Sequence, residues 1–260
     1  MKTNYLLNIG AREEQQDSCT ILESKTSVFL ILADGMGGHD GGAIASQTLV
    51  DEASKLYKKN NPKVEKVDDF FQQIVDNTIE VLKQKVKQNP KIDPHTTCVF
   101  ALIQDGILYH GHIGDSRLYL FEDKKFIKRT KDHSVPQMLL NMGEITEDEM
   151  ATHPDQNKLL KSIGTKKDVK ITFGENRLKD DFIVLVCSDG FWEYISNDEM
   201  IKYLYEQKLD KALDTMVNLA LKRGGDAGDN ISVATAIDVK KTPTMKKLIN
   251  FLNTDVKDLF

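Results

Sequence analysis

Aspartates stand where apolar runs stop. Asp34 follows Ile31-Leu32-Ala33, Asp115 follows Ile113-Gly114, and Asp189 follows Val184 through Ser188. Asp229 comes just before the run that opens at Ile231, and Asp17 holds the matching place before the run that opens at Ser18. A carboxylate at the end of a buried strand is poorly solvated, which costs free energy unless it is paired or bound to a cation. Few lysines neighbour these acids in the chain, so a metal site is the chemistry they suggest. An all-oxygen donor set suits a hard octahedral ion such as Mg²⁺ or Mn²⁺ better than zinc, which favours Cys and His. A turn is the competing reading for any one of them, because Asp-Gly is a common turn pair and occurs at Asp34, Asp40, Asp105 and Asp189. Asp105-Gly106 reads as a turn alone. Asp34 and Asp189 differ from it in the length of apolar strand leading into them, and Gly35, Gly37 and Gly38 let the backbone approach an ion and leave a carbonyl free to bind it. Spacing alone leaves both readings standing.

The elements that must carry these acids alternate between strands and helices. Ser18 to Glu23 and Ser27 to Ala33 read as a hairpin. Ala45, Leu49, Ala53 and Leu56 recur at helical spacing from Gly42 to about Tyr57, and a stronger period runs from Val67 to Val86 before Asn89-Pro90. These two helices are predicted to pack together over one face of a sheet. Thr97 to Ile103, Ile107 to Ile113 and Arg117 to Phe121 read as a meander. Between Ser134 and Gly164 the pattern is helical but broken by Pro136, Gly143 and Pro154. Strands are predicted at Val169 to Phe173, Phe182 to Cys187 and Ile231 to Val239, and helices at Asn197 to Gln207 and Lys211 to Lys222. Tight turns favour antiparallel pairing, and two helix pairs suffice to cover two sheets. The expected fold is α+β, a four-layer α-β-β-α sandwich with two antiparallel sheets flanked by helices. No linker divides the chain, so residues 1–240 read as one domain, followed by a short amphipathic tail, 241–260, that covers an edge of the core.

Composition narrows the function classes. The 260 residues hold 35 Lys plus Arg against 40 Asp plus Glu, a formal charge of −5. No basic stripe is present for nucleic acid. With 40% hydrophobic and 29% charged residues the chain reads as globular, and its apolar runs fall short of the ~18 residues that cross a bilayer. The first residues meet charge and amide groups before an apolar core of ~7 to 15 residues forms, so no secretion signal is read. Cys19, Cys98 and Cys187 are widely separated and read as buried thiols in a reducing cytoplasm. His110 and His112 face one side of a strand and read as half-exposed structural residues, since no third nitrogen ligand is spaced to join them. Trp192 is expected to pack behind Asp189.

Six blocks of sequence carry a resemblance. Gly10 to Asp17 (GAREEQQD), Ala33 to His39 (ADGMGGH), Gly114 to Tyr119 (GDSRLY), Lys131 to Ser134 (KDHS), Cys187 to Glu193 (CSDGFWE) and Gly228 to Ser232 (GDNIS) resemble, in order, the signature of metal-dependent serine/threonine protein phosphatases of type 2C. The resemblance spans about residues 4 to 239, and Met36 and the chain length are similar to the bacterial branch, which opposes Hanks-type kinases. It implies a β-sandwich with a binuclear Mn²⁺ or Mg²⁺ centre in a cleft between the sheets. Asp34 would bridge the ions, the Gly35 carbonyl would bind one, and Asp189 and Asp229 would hold the other. Asp17 would orient the attacking water, Asp115 with help from Asp189 matches the site of a third, weaker ion, and Arg12 would grip the substrate phosphate. Residues 134–165 match the variable flap beside the cleft.

The activity implied is hydrolysis of phosphoserine and phosphothreonine in proteins by a metal-activated water, with no covalent enzyme intermediate, reversing a bacterial Ser/Thr kinase. Partners would be phosphorylated proteins, including such a kinase or its targets, met by a cytoplasmic monomer. A cysteine-nucleophile route is excluded because no Cys-x5-Arg loop is present. The sequence departs from the family at Gln15 and Gln16, where Asn and Glu are common, at Met36, where animal members carry a candidate acid histidine, and at His95. His39 reads as a cap on the glycine loop and His133 as a structural hydrogen-bonding residue. The alternative function is a catalytically silent, phosphoprotein-binding scaffold of the same fold, and a hydrolase acting on another phosphoester is a third.

Overall fold

The computed structural model describes residues 1–38, 40–60, 63–166 and 168–239. The expectations for His39 and for the tail 241–260 lie outside the described residues. Strand β1 (Lys2–Asn8) opens the chain, and β2 (Ser18–Glu23) and β3 (Ser27–Ala33) form the expected hairpin, with Glu23 opposite Val28. Every residue of β3 is buried. Its odd positions Phe29, Ile31 and Ala33 face a helix layer, and its even positions Val28, Leu30 and Leu32 face the other sheet. A strand covered on both sides reads as a continuous apolar run because alternation would put polar groups into one of the two cores.

A two-residue strand β4 (Gly35–Met36) leads into α1 (Gly41–Asn60), followed by α2 (Val67–Gln88). Val67, Phe70, Phe71, Ile74, Val75, Thr78, Ile79 and Leu82 are buried at helical spacing on α2, and Phe71 stacks on Phe29 at 5.7 Å between ring centres. Strand β5 (His95–Thr96) pairs with β4, a ribbon too short to leave a periodic signal. β6 (Cys98–Gln104) and β7 (Ile107–Ile113) form a hairpin whose turn, Asp105-Gly106, has φ of 53° and 73°. That double positive φ is the two-residue hairpin turn that Asp-Gly favours.

The meander ends there. β8 (Arg117–Glu122) does not pair with β7; it crosses to the second sheet, where it pairs with β9 (Lys125–Arg129) and a later strand. Gly114 makes this corner at φ 100°, and a Cβ on it would lie 2.6 Å from Thr97 Cγ2. β9 was not predicted, and neither was β1; both are edge strands, and β9 is largely exposed. The flap region holds α3 (Val135–Met142), N-capped by Ser134 and ended by Gly143 in the left-handed region, and a single 3₁₀ turn at Met150–Thr152. The strand expected at Val169 to Phe173 is instead β10 (Thr172–Arg177), an edge strand on β7, while Val169 and Ile171 pack on the helix-layer core ahead of it. β11 (Phe182–Cys187), the one-turn helix α4 (Asp189–Trp192), α5 (Asn197–Glu206), α6 (Leu209–Gly224) and β12 (Ile231–Asp238) complete the fold.

The two five-stranded antiparallel sheets run β1-β12-β11-β8-β9 and β10-β7-β6-β3-β2. Leu30, Leu32, Val99, Leu118, Val184 and Ala234 fill the space between them. α1 and α2 cover the second sheet, and α5 and α6 cover the first, so the molecule is the expected four-layer sandwich. No helix among the described residues is long and apolar enough to cross a membrane.

Candidate active site

The loops at one end of the two sheets deliver the acids. Arg12, Asp34, Gly35, Asp115, Asp189 and Asp229 line one cavity of about 630 Å³. Asp17 lies beneath it, buried, with its carboxylate accepting the Ser232 hydroxyl at 2.6 Å. Glu13 and Glu14, beside Arg12 in the first block, also line the cavity, as do Asn157 and Leu159; nothing in the local pattern of the last two marks them, because a loop far from the others in the chain brings them there.

Each acid is held through its own backbone or that of a neighbour. The Asp34 amide donates to Thr97 Oγ1 at 3.0 Å, and its carbonyl accepts the Thr97 amide and the Thr96 hydroxyl, each at 2.8 Å. Thr97 Oγ1 in turn meets Ser116 Oγ at 2.7 Å, which links the loops of Asp34 and Asp115. Gly35 packs so closely that a Cβ would lie 2.2 Å from the Gly42 carbonyl oxygen. Asp229 accepts Arg12 Nη2 at 2.7 Å and its neighbour's amide, Asn230 N, also at 2.7 Å. Asn230 was not singled out in the sequence, yet its amide side chain accepts Gln16 N at 2.6 Å and donates to Ile9 and Glu14 carbonyls, so it shapes the loop that carries Arg12. The Trp192 indole donates to the Asp115 carbonyl at 3.0 Å, and the Arg117 guanidinium lies 3.4 Å above its ring, so Trp192 packs behind the acids as expected.

Crowding governs the electrostatics. Burial, then mutual repulsion, holds the Asp34 and Asp115 carboxyls well above the usual range. Asp17 is pushed up to about 8 by burial against the pull of Ser232, and Asp189 to about 6 by burial and by Asp229. The Asp189 carboxylate accepts the Gly190 amide at 2.6 Å. Among the described residues no three Asp, Glu, His or Cys side chains form a converged ligand set; Asp229 is turned onto Arg12 and Asp189 onto the Gly190 amide. The fit to a cation therefore rests on the donor chemistry: five aspartates and two glutamates against one guanidinium, whose side chain is 56% exposed, leave a surplus of negative charge and only oxygen donors, the set that hard divalent ions take.

The histidines stand apart from this cluster. His110 and His112 are buried, 6% and 3% exposed, rather than half-exposed, because their face of β7 is turned toward the other sheet. Burial lowers His110 to about 4. His133 has the structural role expected of it, accepting the Gly114 amide on Nδ1 at 3.1 Å. His95, which had no reading, meets Ser162 Oγ at 3.2 Å and ties the glycine loop to the flap. Cys98 and Cys187 are buried free thiols and Cys19 is half-buried, and burial pushes all three thiols up, so none is a nucleophile.

A family model described as protein phosphatase 2C matches residues 8–227. A putative protein phosphatase 2C-type from Streptococcus pyogenes is 34% identical over 239 residues, covering 90% of this chain and 96% of that protein. Among solved structures, the S. agalactiae serine/threonine phosphatase superposes with a TM-score of 0.80 at 29% identity, over 92% of this chain and 99% of that one. The catalytic domain of serine threonine protein phosphatase PstP, solved in complex with two manganese ions, does so at 0.79 and 26% identity, over 92% and 98%. A match that runs from the end of β1 to the loop before β12 and takes in every acid except Asp229, together with relatives of nearly equal length, leaves one conclusion: the chain belongs to the protein phosphatase 2C family.

Proposed function

We infer that the cleft between the sheets is where this chain, a metal-dependent protein serine/threonine phosphatase, hydrolyses phosphoserine and phosphothreonine. Mn²⁺ or Mg²⁺ is its cofactor. One observation carries the assignment of the site: five aspartates from five separated segments meet beside a single exposed arginine at the strand ends. In this reading Asp34 would be shared by two ions, the Gly35 carbonyl would help to hold one of them and Asp189 and Asp229 the other, and Asp115 with Asp189 would serve a third, weaker ion. When bound, the ions neutralise charge on the phosphoryl group and lower the pKa of the attacking water.

The chain's own groups do the rest. Arg12 uses Nη2 on Asp229, which leaves its other guanidinium edge to grip two phosphoryl oxygens. Asp17, fixed by Ser232, orients the attacking water from beneath the cluster. Met36 lines the cleft and has no proton to give, so the leaving alkoxide takes its proton from water or another group. Residues 1–240 form the catalytic unit, with 134–165 as its flap. The role we propose for it is that of a cytoplasmic monomer that reverses a Ser/Thr kinase, the last of these in keeping with bacterial relatives named serine/threonine phosphatases. Nothing in the cleft favours a silent scaffold, since each acid the catalytic reading needs is present.

The test is hydrolysis of a small aryl phosphate and a phosphothreonine peptide with and without Mn²⁺. Turnover of both that stops on adding a chelator is expected. Turnover that survives the chelator, or none with metal present, defeats the reading, and faster turnover of phosphotyrosine or a nucleotide reassigns the substrate.

A further inference from the structure

We propose that His133 is a positioning residue, clamping Gly114 through both its backbone and its imidazole so that Asp115 is presented to the third, weaker ion; the proposal rests on the reading of Asp115 given above. Gly114 precedes Asp115 at the corner where the chain leaves one sheet for the other, with φ of 100°. Glycine is the least self-constrained residue, so the direction of the chain there must be imposed by its neighbours. His133 holds both polar backbone groups of Gly114. The Gly114 carbonyl accepts the His133 amide at 2.9 Å, and the Gly114 amide donates to His133 Nδ1 at 3.1 Å.

The imidazole is itself held on three sides. A backbone N–H can only donate, so Nδ1 carries the lone pair and Nε2 carries the proton, which it donates to Thr172 Oγ1 at 2.9 Å. The ring stacks on His112 at 4.6 Å with 7° between planes, and His112 Nε2 donates to the Lys131 carbonyl at 2.8 Å. Beyond Asp115 the chain is fixed again: Trp192 donates to the Asp115 carbonyl and Ser116 Oγ meets Thr97 Oγ1. Both peptide units that flank Asp115 are thereby pinned, one by His133 and one by Trp192. His133 also roots the flap, since its carbonyl accepts the Leu160 amide at 2.7 Å, next to Leu159, which lines the cleft. Groups that orient a metal ligand from outside the ligand set typically tune metal affinity by about 10- to 100-fold.

The imidazole's share is separable from the backbone's. In His133→Asn the amide oxygen falls where Nδ1 stood, whereas in His133→Gln the amide falls where Nε2 stood and reaches Thr172 but not Gly114. Calorimetric Mn²⁺ titration of the full chain reads the weak ion separately from the two tight ones. His133→Gln is expected to weaken the third ion by about 10-fold or more and leave the tight pair unchanged, while His133→Asn stays near the parent. Steady-state assays follow: kcat of His133→Gln falls at low Mn²⁺ and recovers at high Mn²⁺, with KM for the aryl phosphate unchanged. Equal losses in Asn and Gln, or none in Gln, overturn the proposal. Asp115→Ala separates the two claims, because a weak ion that still binds there sinks the reading of Asp115 itself. Should His133→Gln not fold, ¹⁵N spectra of the parent decide: a protonated His133 Nδ1 refutes the clamp, and an unprotonated one beside a hydrogen-bonded Gly114 amide supports it.

Discussion

Asp34 and Arg12 divide the work of the cleft between holding cations and holding phosphate, and single substitutions separate the two. Asp34→Asn removes one of several carboxylates that burial and mutual repulsion hold above their usual range. It is expected to cut kcat/KM by about two orders of magnitude or more. It also raises the thermal stability of the chelated protein and abolishes the stabilisation by Mn²⁺, both read by scanning calorimetry. A calorimetric Mn²⁺ titration equal to the parent's would overturn the assignment of Asp34 as the bridge. Arg12→Ala is expected to raise KM for a phosphopeptide by about 10-fold with a smaller change in kcat, the loss of one charge-assisted contact; the reverse pattern would remove Arg12 from substrate binding. The acids were legible because each interrupts or precedes an apolar run, a pattern with a direct physical cost. Asn230, Asn157 and Leu159 were not, since the contacts that bring them to the cleft are non-local: Asn230 bonds Gln16 from the far end of the chain, and the segment of Asn157 and Leu159 is anchored on His133 and Ser134. Strand period placed His110 and His112 on one face of β7 but could not say that this face is the inner one.

Elements hold that arrangement through caps and double-sided burial. α5, which with α6 covers the sheet behind Asp189 and Asp229, begins with a capping box between Ser196 and Glu199, and Glu199 also pairs with Arg223 on α6. The Arg223 guanidinium, against the effect of partial burial, lowers Glu199 to about 2. A carboxyl depressed in the folded state stabilises above its unfolded value and loses that contribution as pH falls through the folded one. Glu199→Gln keeps a capping side chain but loses the charge. It is therefore expected to unfold about 1 kcal/mol more easily at pH 7, with the difference from the parent vanishing between about pH 4.5 and 2. A constant difference across that range would show that Glu199 acts by shape and not charge. The meander failed at the same scale: β8 is apolar on both faces, and its Leu118 and Leu120 fit the core between the sheets as readily as they would a third strand beside β7. The φ of Gly114, the closeness of Thr97 and the bonds from His133 send the chain across.

At the scale of the molecule, two sheets pack over one apolar core and open at one end into an acidic cleft. Ions that bind the folded state alone stabilise it by about 2.7 kcal/mol at a hundred times their Kd, which for a domain of this size is about 5 to 10 °C. Melting curves with Mn²⁺ and with a chelator are expected to differ by at least that much, and coincident curves would show that the cleft binds no ion. By itself the sequence determined the donor chemistry, the two helix pairs and the antiparallel layers, because oxygen ligands, helical period and strand burial are written in residue type and spacing within short windows. Tertiary structure alone decided which acids share a cavity, how Asn230 and His133 hold them, and that β8 belongs to the far sheet. Those outcomes depend on the pairing of β12 with β1, from opposite ends of the described chain, and of β11 with β12 and β8, contacts whose free energy is gained only when both sheets close over one core.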